Sequence, residues 1–116
     1  MLAVGGHVLP HFEDSYVCMS TGFGGGVGGS HEELCGAFSA GVMIIGGLTG
    51  RSKVEEDSER CYALVSEYRR RFHARWKTLT CNPIRDWAKG PQGPAGGCAY
   101  VVAQSALVLL DLLESV

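Results

Sequence analysis

Apolar residues between positions 53 and 77 recur with the period of an α-helix. Acidic residues crowd the start of this stretch and basic residues its end, an order that suits the helix macrodipole. The pattern therefore predicts a long amphipathic helix that begins at Ser52 or Lys53, ends near Lys77 and buries one face. Its apolar stripe consists of Cys61, Leu64, Val65, Tyr68, Phe72 and Trp76.

The other apolar segments also have helical character. Helices are predicted over residues 1–9, 12–21, 31–49 and 98–114, with only a turn or two over residues 84–88. Directly before that short segment, Asn82 is predicted as the N-cap and Pro83 as the first helical residue. No segment shows the alternation of a strand. The chain is therefore predicted to be all-α, a single domain over residues 1–116 built as a compact bundle of four to five helices.

A glycine-rich loop precedes the central predicted helix. Its glycines surround Val27 and are Gly24, Gly25, Gly26, Gly28 and Gly29. Ser30 is predicted to be an N-cap, and Glu33 would complete a capping box, so the helix should begin near His31. Several further glycines lie inside that helix, where each costs about 1 kcal/mol relative to alanine. Close packing by another helix, or access to a site, would justify them.

The charge balance narrows the classes of partner. Ten lysines and arginines stand against 12 aspartates and glutamates, so no overall field attracts nucleic acid or an anionic membrane. The two longest uncharged apolar segments fall short of the ~20 residues that a membrane-spanning helix needs. No signal peptide is recognised, and we expect a cytoplasmic protein.

Five cysteines are many for a chain expected in a reducing compartment, where they are more often ligands or redox thiols than structural disulfides. Three of them, Cys35, Cys81 and Cys98, are predicted at helix N-termini. Unpaired N–H groups and the positive end of the helix dipole stabilise a thiolate or an anionic cluster there. Cys18 lies near the predicted C-terminus of a helix, where the helix dipole disfavours a thiolate. Cys61 lies on the apolar stripe of the long helix and is expected to pack in the core. Neither is therefore a candidate site residue.

Two other patterns point to alternative chemistry. Gly24, Gly26 and Gly29 match GxGxxG, a weak signal for a phosphate site because no strand precedes it. His31 and Cys35 are four residues apart and could supply two ligands of a zinc site. No catalytic triad or carboxylate pair can be placed together, so no hydrolytic chemistry is predicted.

The run STGFGGGVGGSHEELCGAFSAGVMIIGGLTGR at residues 20–51 resembles the redox-active protein family named for its C–GCAxxG–C–C cysteine arrangement. The long helix, then Cys81, then Cys98 at a final helix follow the order of that family, and the resemblance covers nearly the whole chain. It implies a redox-active domain in which these cysteines and Cys35 are signature residues.

The chain departs from the family pattern at two points. Ala40 stands where the family has a glycine, which is a small-for-small change. The first signature cysteine of the family precedes a segment like residues 2–5, so this chain is expected to lack the N-terminal helix segment that carries it. The uncapped start of the helix over residues 1–9 agrees with a missing upstream turn.

The leading hypothesis is a cysteine-ligated metal or iron–sulfur site that transfers electrons to a redox partner or senses redox state. The candidate ligands are Cys35, Cys81 and Cys98, and the surrounding loop residues are Gly24, Gly25, Gly26, Gly28, Gly29, Ser30 and Gly36. The alternatives are a metal-free thiol–disulfide protein, in which a pair of these cysteines cycles, and a small-residue helical module that forms a homodimer without a redox role.

Overall fold

The computed structural model describes residues 1–115, which fold into six α-helices. These are α1 (Leu2–Val8), α2 (Asp14–Thr21), α3 (Gly36–Thr49), α4 (Glu59–Trp76), α5 (Cys81–Lys89) and α6 (Cys98–Glu114). No β-strand is present in this part of the chain, and one isolated antiparallel bridge joins Leu34 to Thr80. The all-α prediction is confirmed. The predicted count of four to five helices is too low, because α5 is a full helix of 9 residues rather than a turn or two.

The core lies where α3, α4 and α6 pack together. The rings of Phe38 and Tyr68 stack nearly parallel at 5.5 Å between centroids, and Phe72 packs against both. Phe72 and Ile45 are fully buried. Burying such a side chain contributes roughly 1.5–3 kcal/mol to folding, so this aromatic cluster anchors α3 to the stripe of α4 predicted from the sequence.

Two glycines of α3 allow the close packing that the sequence suggested. A Cβ placed on Gly41 would collide with the ring of Tyr68, and one on Gly47 would lie 2.6 Å from a methyl carbon of Leu9. Gly46, by contrast, has no atom of the described residues within 4 Å of such a Cβ. The small residues of α3 therefore accept side chains of this same chain at two positions.

The predicted start of the central helix is wrong. Residues 31–35 are not helical, and α3 begins at Gly36 with Cys35 as its N-cap. The bridge of Leu34 to Thr80 ties the end of this bent segment to a residue distant in the chain, and this contact overrides the local helix signal. Ser30 caps no helix: its hydroxyl donates to the carbonyl of Gly26 at 2.7 Å and accepts the N–H of Glu32 at 3.2 Å.

The starts of α4 and α5 also differ from prediction. Helix α4 begins at Glu59 rather than at Ser52 or Lys53. Arg51 donates to the carbonyl oxygens of Val54 and Glu56, which folds residues 51–58 into a loop ahead of α4. Helix α5 begins at Cys81, earlier than predicted, and its N-cap is Thr80 rather than the predicted asparagine at position 82. The proline at position 83 is tolerated as the third helical residue because the first N–H groups of a helix have no internal partner.

Within residues 1–115, no helix is both long enough and apolar enough to cross a membrane.

Candidate functional site

The three cysteines predicted as site residues line a single cleft. Its volume is about 350 Å³, and Cys35, Cys81 and Cys98 contribute to its wall. Each lies at the start of a helix, since Cys35 is the N-cap of α3 and the other two are the first residues of α5 and α6. The helix-start prediction is confirmed for Cys98. Cys35, predicted about one turn inside its helix, instead precedes the first turn.

The bridge between Leu34 and Thr80 makes Cys35 and Cys81 diagonal neighbours. The N–H of Cys35 donates to the carbonyl of Leu79 at 2.7 Å, and the N–H of Cys81 donates to the carbonyl of Glu33 at 2.8 Å. These bonds flank the pair Leu34–Thr80. Because residues next to a bridged pair point to the opposite face from it, both cysteine side chains leave the bridge on the same face.

Cys98 reaches the cleft from a separate loop. Gly96 and Gly97 take positive φ values of 90° and 56°, and Gly97 is the N-cap of α6. Left-handed backbone of this kind favours glycine, which explains the pair of glycines directly before the cysteine. The thiol of Cys98 is half-buried and packs against the core.

A left-handed turn of backbone lies beside the cleft and contributes Gly25 to its lining. Five successive residues have φ between 57° and 70°, and they are Gly25, Gly26, Val27, Gly28 and Gly29. Gly26 is buried at the point where the turn meets Cys81: a Cβ added there would lie 2.6 Å from the Cβ of Cys81. The glycines thus bring backbone against the site. Of the predicted loop residues, Gly24, Gly25 and Gly36 line the cleft, whereas Gly26, Gly28, Gly29 and Ser30 do not.

Burial governs the ionisation of two of the thiols. It raises the pKa of Cys35, and the backbone N–H groups of Ala37 and Phe38 oppose that rise. Burial also raises the pKa of Cys81; the neighbouring Cys98 and Asp86 add to the rise, and the cations Arg85 and Lys89 of α5 oppose it. The helix starts were expected to stabilise thiolates, but at these two positions desolvation outweighs that effect.

The two cysteines excluded on sequence grounds lie away from the cleft. Cys18 is exposed on α2, and Cys61 is half-buried on α4, where it packs against the core. Neither contributes to the lining of the cleft. All five cysteines are free thiols in the structure.

Two cations of the site were not predicted from the sequence. Arg85 and Lys89 line the cleft and follow Cys81 at intervals of four residues, which places all three along one side of α5. The spacing was visible in the sequence, but it carries meaning only if α5 is a helix from Cys81 onward. His31 also lines the cleft, although it lies outside any helix with a φ of 63°.

The arrangement does not form a metal site as it stands. Within residues 1–115, no group of three or more His, Cys, Asp or Glu side chains is placed so that it could hold a metal ion. The phosphate-loop alternative gains no support either, because the turn of glycines is followed by the bridged segment rather than directly by a helix N-terminus.

Fold and site together define a small helical protein with a three-thiol cleft. A family model described as "Putative redox-active protein (C_GCAxxG_C_C)" matches residues 2–112, and the chain belongs to this family. No curated protein and no solved structure matches the chain significantly.

Proposed function

We propose that this protein is a thiol–disulfide redox protein in which Cys35 and Cys81 alternate between two thiols and a disulfide. The observation that carries the proposal is the pair of backbone hydrogen bonds that fixes these cysteines as diagonal neighbours at the wall of one cleft. Cys35 lies opposite Leu79 and Cys81 opposite Glu33, so the two cysteines are diagonal neighbours on one face of the bridge. Such neighbours are about 7–8 Å apart and a disulfide requires Cα atoms within about 7 Å, so a small backbone shift at the bridge closes the disulfide.

The reaction consumes a disulfide as oxidant. The thiolate of Cys35 attacks one sulfur of the substrate, a mixed disulfide forms and one substrate thiolate leaves. The thiolate of Cys81 then attacks the sulfur of Cys35, and the second substrate thiolate leaves. Two electrons pass from the cysteines to the substrate, and the two cysteine protons end on the two substrate thiols.

The exposure of the two cysteines supports the assignment of the first attack to Cys35 and of the second to Cys81. Cys35 is half-buried and open to the cleft, whereas Cys81 is only 8 % exposed. A substrate therefore reaches Cys35 more readily, and Cys81 is suited to the internal second step. Cys98 is a third thiol on the wall of the same cleft, and its charge raises the pKa of both Cys35 and Cys81.

A metal or iron–sulfur site remains the second candidate, and three convergent cysteines beside a glycine turn favour it. The residues as placed do not fit it. Iron–sulfur clusters are usually held by four cysteine thiolates, and the lining of the cleft contains three. No step of the reaction above depends on a metal.

Oxidation of the purified chain by a small neutral disulfide, followed by peptide mapping, tests the proposal. We expect an internal Cys35–Cys81 disulfide that forms with a two-electron midpoint, in which a tenfold change in the equilibrium constant corresponds to about 30 mV. A chelator should leave the midpoint unchanged. Cys98→Ser should retain the disulfide, and so should the control variants Cys18→Ser and Cys61→Ser.

Two results would overturn the proposal. One is the absence of any internal disulfide between cleft cysteines. The other is a Cys35→Ser or Cys81→Ser variant that forms the same disulfide-linked peptides as the parent chain. Stoichiometric iron and sulfide, or zinc, that is lost together with the redox midpoint on chelation would instead support the second candidate.

A further inference from the structure

The two charged side chains that line the thiol cleft are both cations. Arg85 and Lys89 line it, His31 adds an imidazole, and no aspartate or glutamate of the described residues contributes to its wall. The acidic residues next to lining residues in sequence, Glu32, Glu33 and Asp86, are exposed and outside the lining, and of these Asp86 adds a small electrostatic effect at Cys81. A cleft with two cations and no carboxylate favours an anionic ligand.

Neither Arg85 nor Lys89 forms an ion pair with another described residue. In the described part of the chain the ion pairs join Arg70 and Arg71 to Glu67 and Asp111, so Arg85 and Lys89 have no carboxylate partner there. Arg85 is nevertheless half-buried. Holding a guanidinium partly out of water without a partner is unfavourable, and a bound carboxylate would supply the missing hydrogen bonds in a bidentate arrangement.

The two cations follow Cys81 at increasing distance along α5. Residues four apart on a helix are separated by about 6 Å along its axis, so the backbone of Arg85 lies about 6 Å and that of Lys89 about 12 Å beyond Cys81. A carboxylate a few carbon atoms from a disulfide can therefore reach Arg85 while a sulfur atom lies beside the cysteines. Ile84, Val101 and Val102 provide apolar wall for the carbon chain between them.

We propose that the substrate of this site is a small disulfide that carries carboxylates, with Arg85 and Lys89 binding the carboxylates while Cys35 and Cys81 exchange with the sulfurs. This inference rests on the proposed thiol–disulfide function. The cleft volume of about 350 Å³ lies in the range of small-molecule sites. The redox balance is the one given above, and the cations contribute binding and orientation only.

Three disulfides of similar size test the inference: 3,3′-dithiodipropionate is anionic, 2-hydroxyethyl disulfide neutral and cystamine cationic. Each rate of Cys35–Cys81 oxidation is divided by the rate of the same reagent with free cysteine. We expect the anionic reagent to react roughly tenfold faster than the neutral one, with the cationic reagent slowest, and the preference to shrink as salt is added.

In the double variant Arg85→Gln/Lys89→Gln, the ratio of anionic to neutral rates should fall to about one. The ratio is used because any change in thiol pKa affects both reagents alike. Arg60→Gln/Arg69→Gln removes the same charge from exposed positions of α4 outside the cleft and should retain the preference.

The outcomes separate the two proposals. If no reagent yields the internal disulfide, the thiol–disulfide function itself fails. If the neutral reagent yields it but the anionic preference is missing, or is lost equally in both double variants, the function stands and the carboxylate-binding role is wrong. Retention of the full preference in the Arg85→Gln/Lys89→Gln variant would overturn it as well.

Discussion

Gly26 and Cys81 are in direct contact, and a Cβ added to the glycine would lie 2.6 Å from the Cβ of the cysteine. The same Cβ would lie 2.8 Å from the Cα of His31. Gly26 therefore has two requirements: a backbone with a φ of 69°, and an absence of side chain where the turn meets the thiol site. Gly28 shares only the first, since its φ is 62° but no atom of the described residues lies within 4 Å of an added Cβ.

Alanine substitutions at Gly26 and Gly28 distinguish the free-energy cost of left-handed backbone from the cost of a steric contact with the thiol site. Gly28→Ala should lower the free energy of unfolding by about 1–2 kcal/mol, the cost of left-handed backbone for an L-residue, and leave Cys35–Cys81 oxidation intact. Gly26→Ala should cost about 1–3 kcal/mol more, because backbone and Cys81 must both move. It should also reduce the yield of the internal disulfide. Urea unfolding and peptide mapping measure the two effects, and equal effects of both variants would show that the contact is unimportant.

Local sequence signals predicted some helix ends well and others poorly. Residues 98–114 were predicted with the bounds that α6 has, because a loop rich in glycine and proline ends directly before Cys98. The start of α3 was missed because Leu34 pairs with Thr80, a residue distant in the chain. No local pattern reports such a contact, so tertiary structure overrode a plausible capping box.

The cysteines that line the cleft could be predicted from the sequence, but the direction of their pKa shifts could not. Helix position separated Cys35, Cys81 and Cys98, which line the cleft, from Cys18 and Cys61, which do not. The same reasoning expected lowered thiol pKa values, and burial reversed that direction for two of them. Burial depends on what packs over the helix start, and that information is absent from a local pattern.

Alkylation of individual cysteines should reflect this burial. Because burial raises the pKa of Cys35 and of Cys81, their reaction with iodoacetamide should be slow at pH 7 and should still increase above about pH 8.5, the usual cysteine pKa. Exposed Cys18 should react first. Mass spectrometry of timed samples gives each rate, and the urea-unfolded chain is the control in which these differences disappear. Faster reaction of Cys81 than of Cys18 in the folded chain would contradict the burial argument.

Because the pKa values of Cys35 and Cys81 are raised, folding stability depends on pH in the alkaline range. A raised thiol pKa means that the folded state retains protons that the unfolded state loses above about pH 8.5. The contribution to stability is complete below that pH and decreases as pH rises toward the pKa of the folded state. Urea midpoints should therefore fall at alkaline pH, and less steeply in Cys35→Ala than in Cys18→Ala. An identical slope in both variants would show that Cys35 is not the responsible group.

At acid pH the responsive group is Glu67. Arg70 and Arg71 donate to its carboxylate and lower its pKa to about 2. The lowered pKa stabilises the fold above the usual glutamate pKa of about 4.3, and this contribution is lost as pH falls from there toward 2. Thermal unfolding between about pH 6 and about pH 2.5 should show a smaller acid dependence in Glu67→Gln than in Glu55→Gln, an exposed control in the loop before α4. Parallel curves for both variants would exclude a role for the Glu67 ion pairs.

Two buried serines should respond to alanine in opposite directions. The hydroxyl of Ser39 in α3 is buried without a hydrogen-bond partner within the described residues, whereas that of Ser105 in α6 accepts the indole N–H of Trp76 at 3.1 Å. Ser39→Ala removes an unsatisfied polar group and should stabilise the fold by about 1 kcal/mol. Ser105→Ala leaves the indole N–H unpaired and should destabilise it by about 1–3 kcal/mol.

Both serines lie inside helices, so the gain in helix propensity is the same in the two variants and cancels in the comparison. Urea unfolding at neutral pH measures the two changes in the free energy of unfolding. If the slope of that free energy against urea concentration is unchanged, the substitution has not altered the unfolded state. A loss of stability in Ser39→Ala as large as that in Ser105→Ala would mean that the Ser39 hydroxyl has a partner in solution. Since Ser39 lies one helical turn after Cys35, a water bound near the thiol would then be the first partner to test.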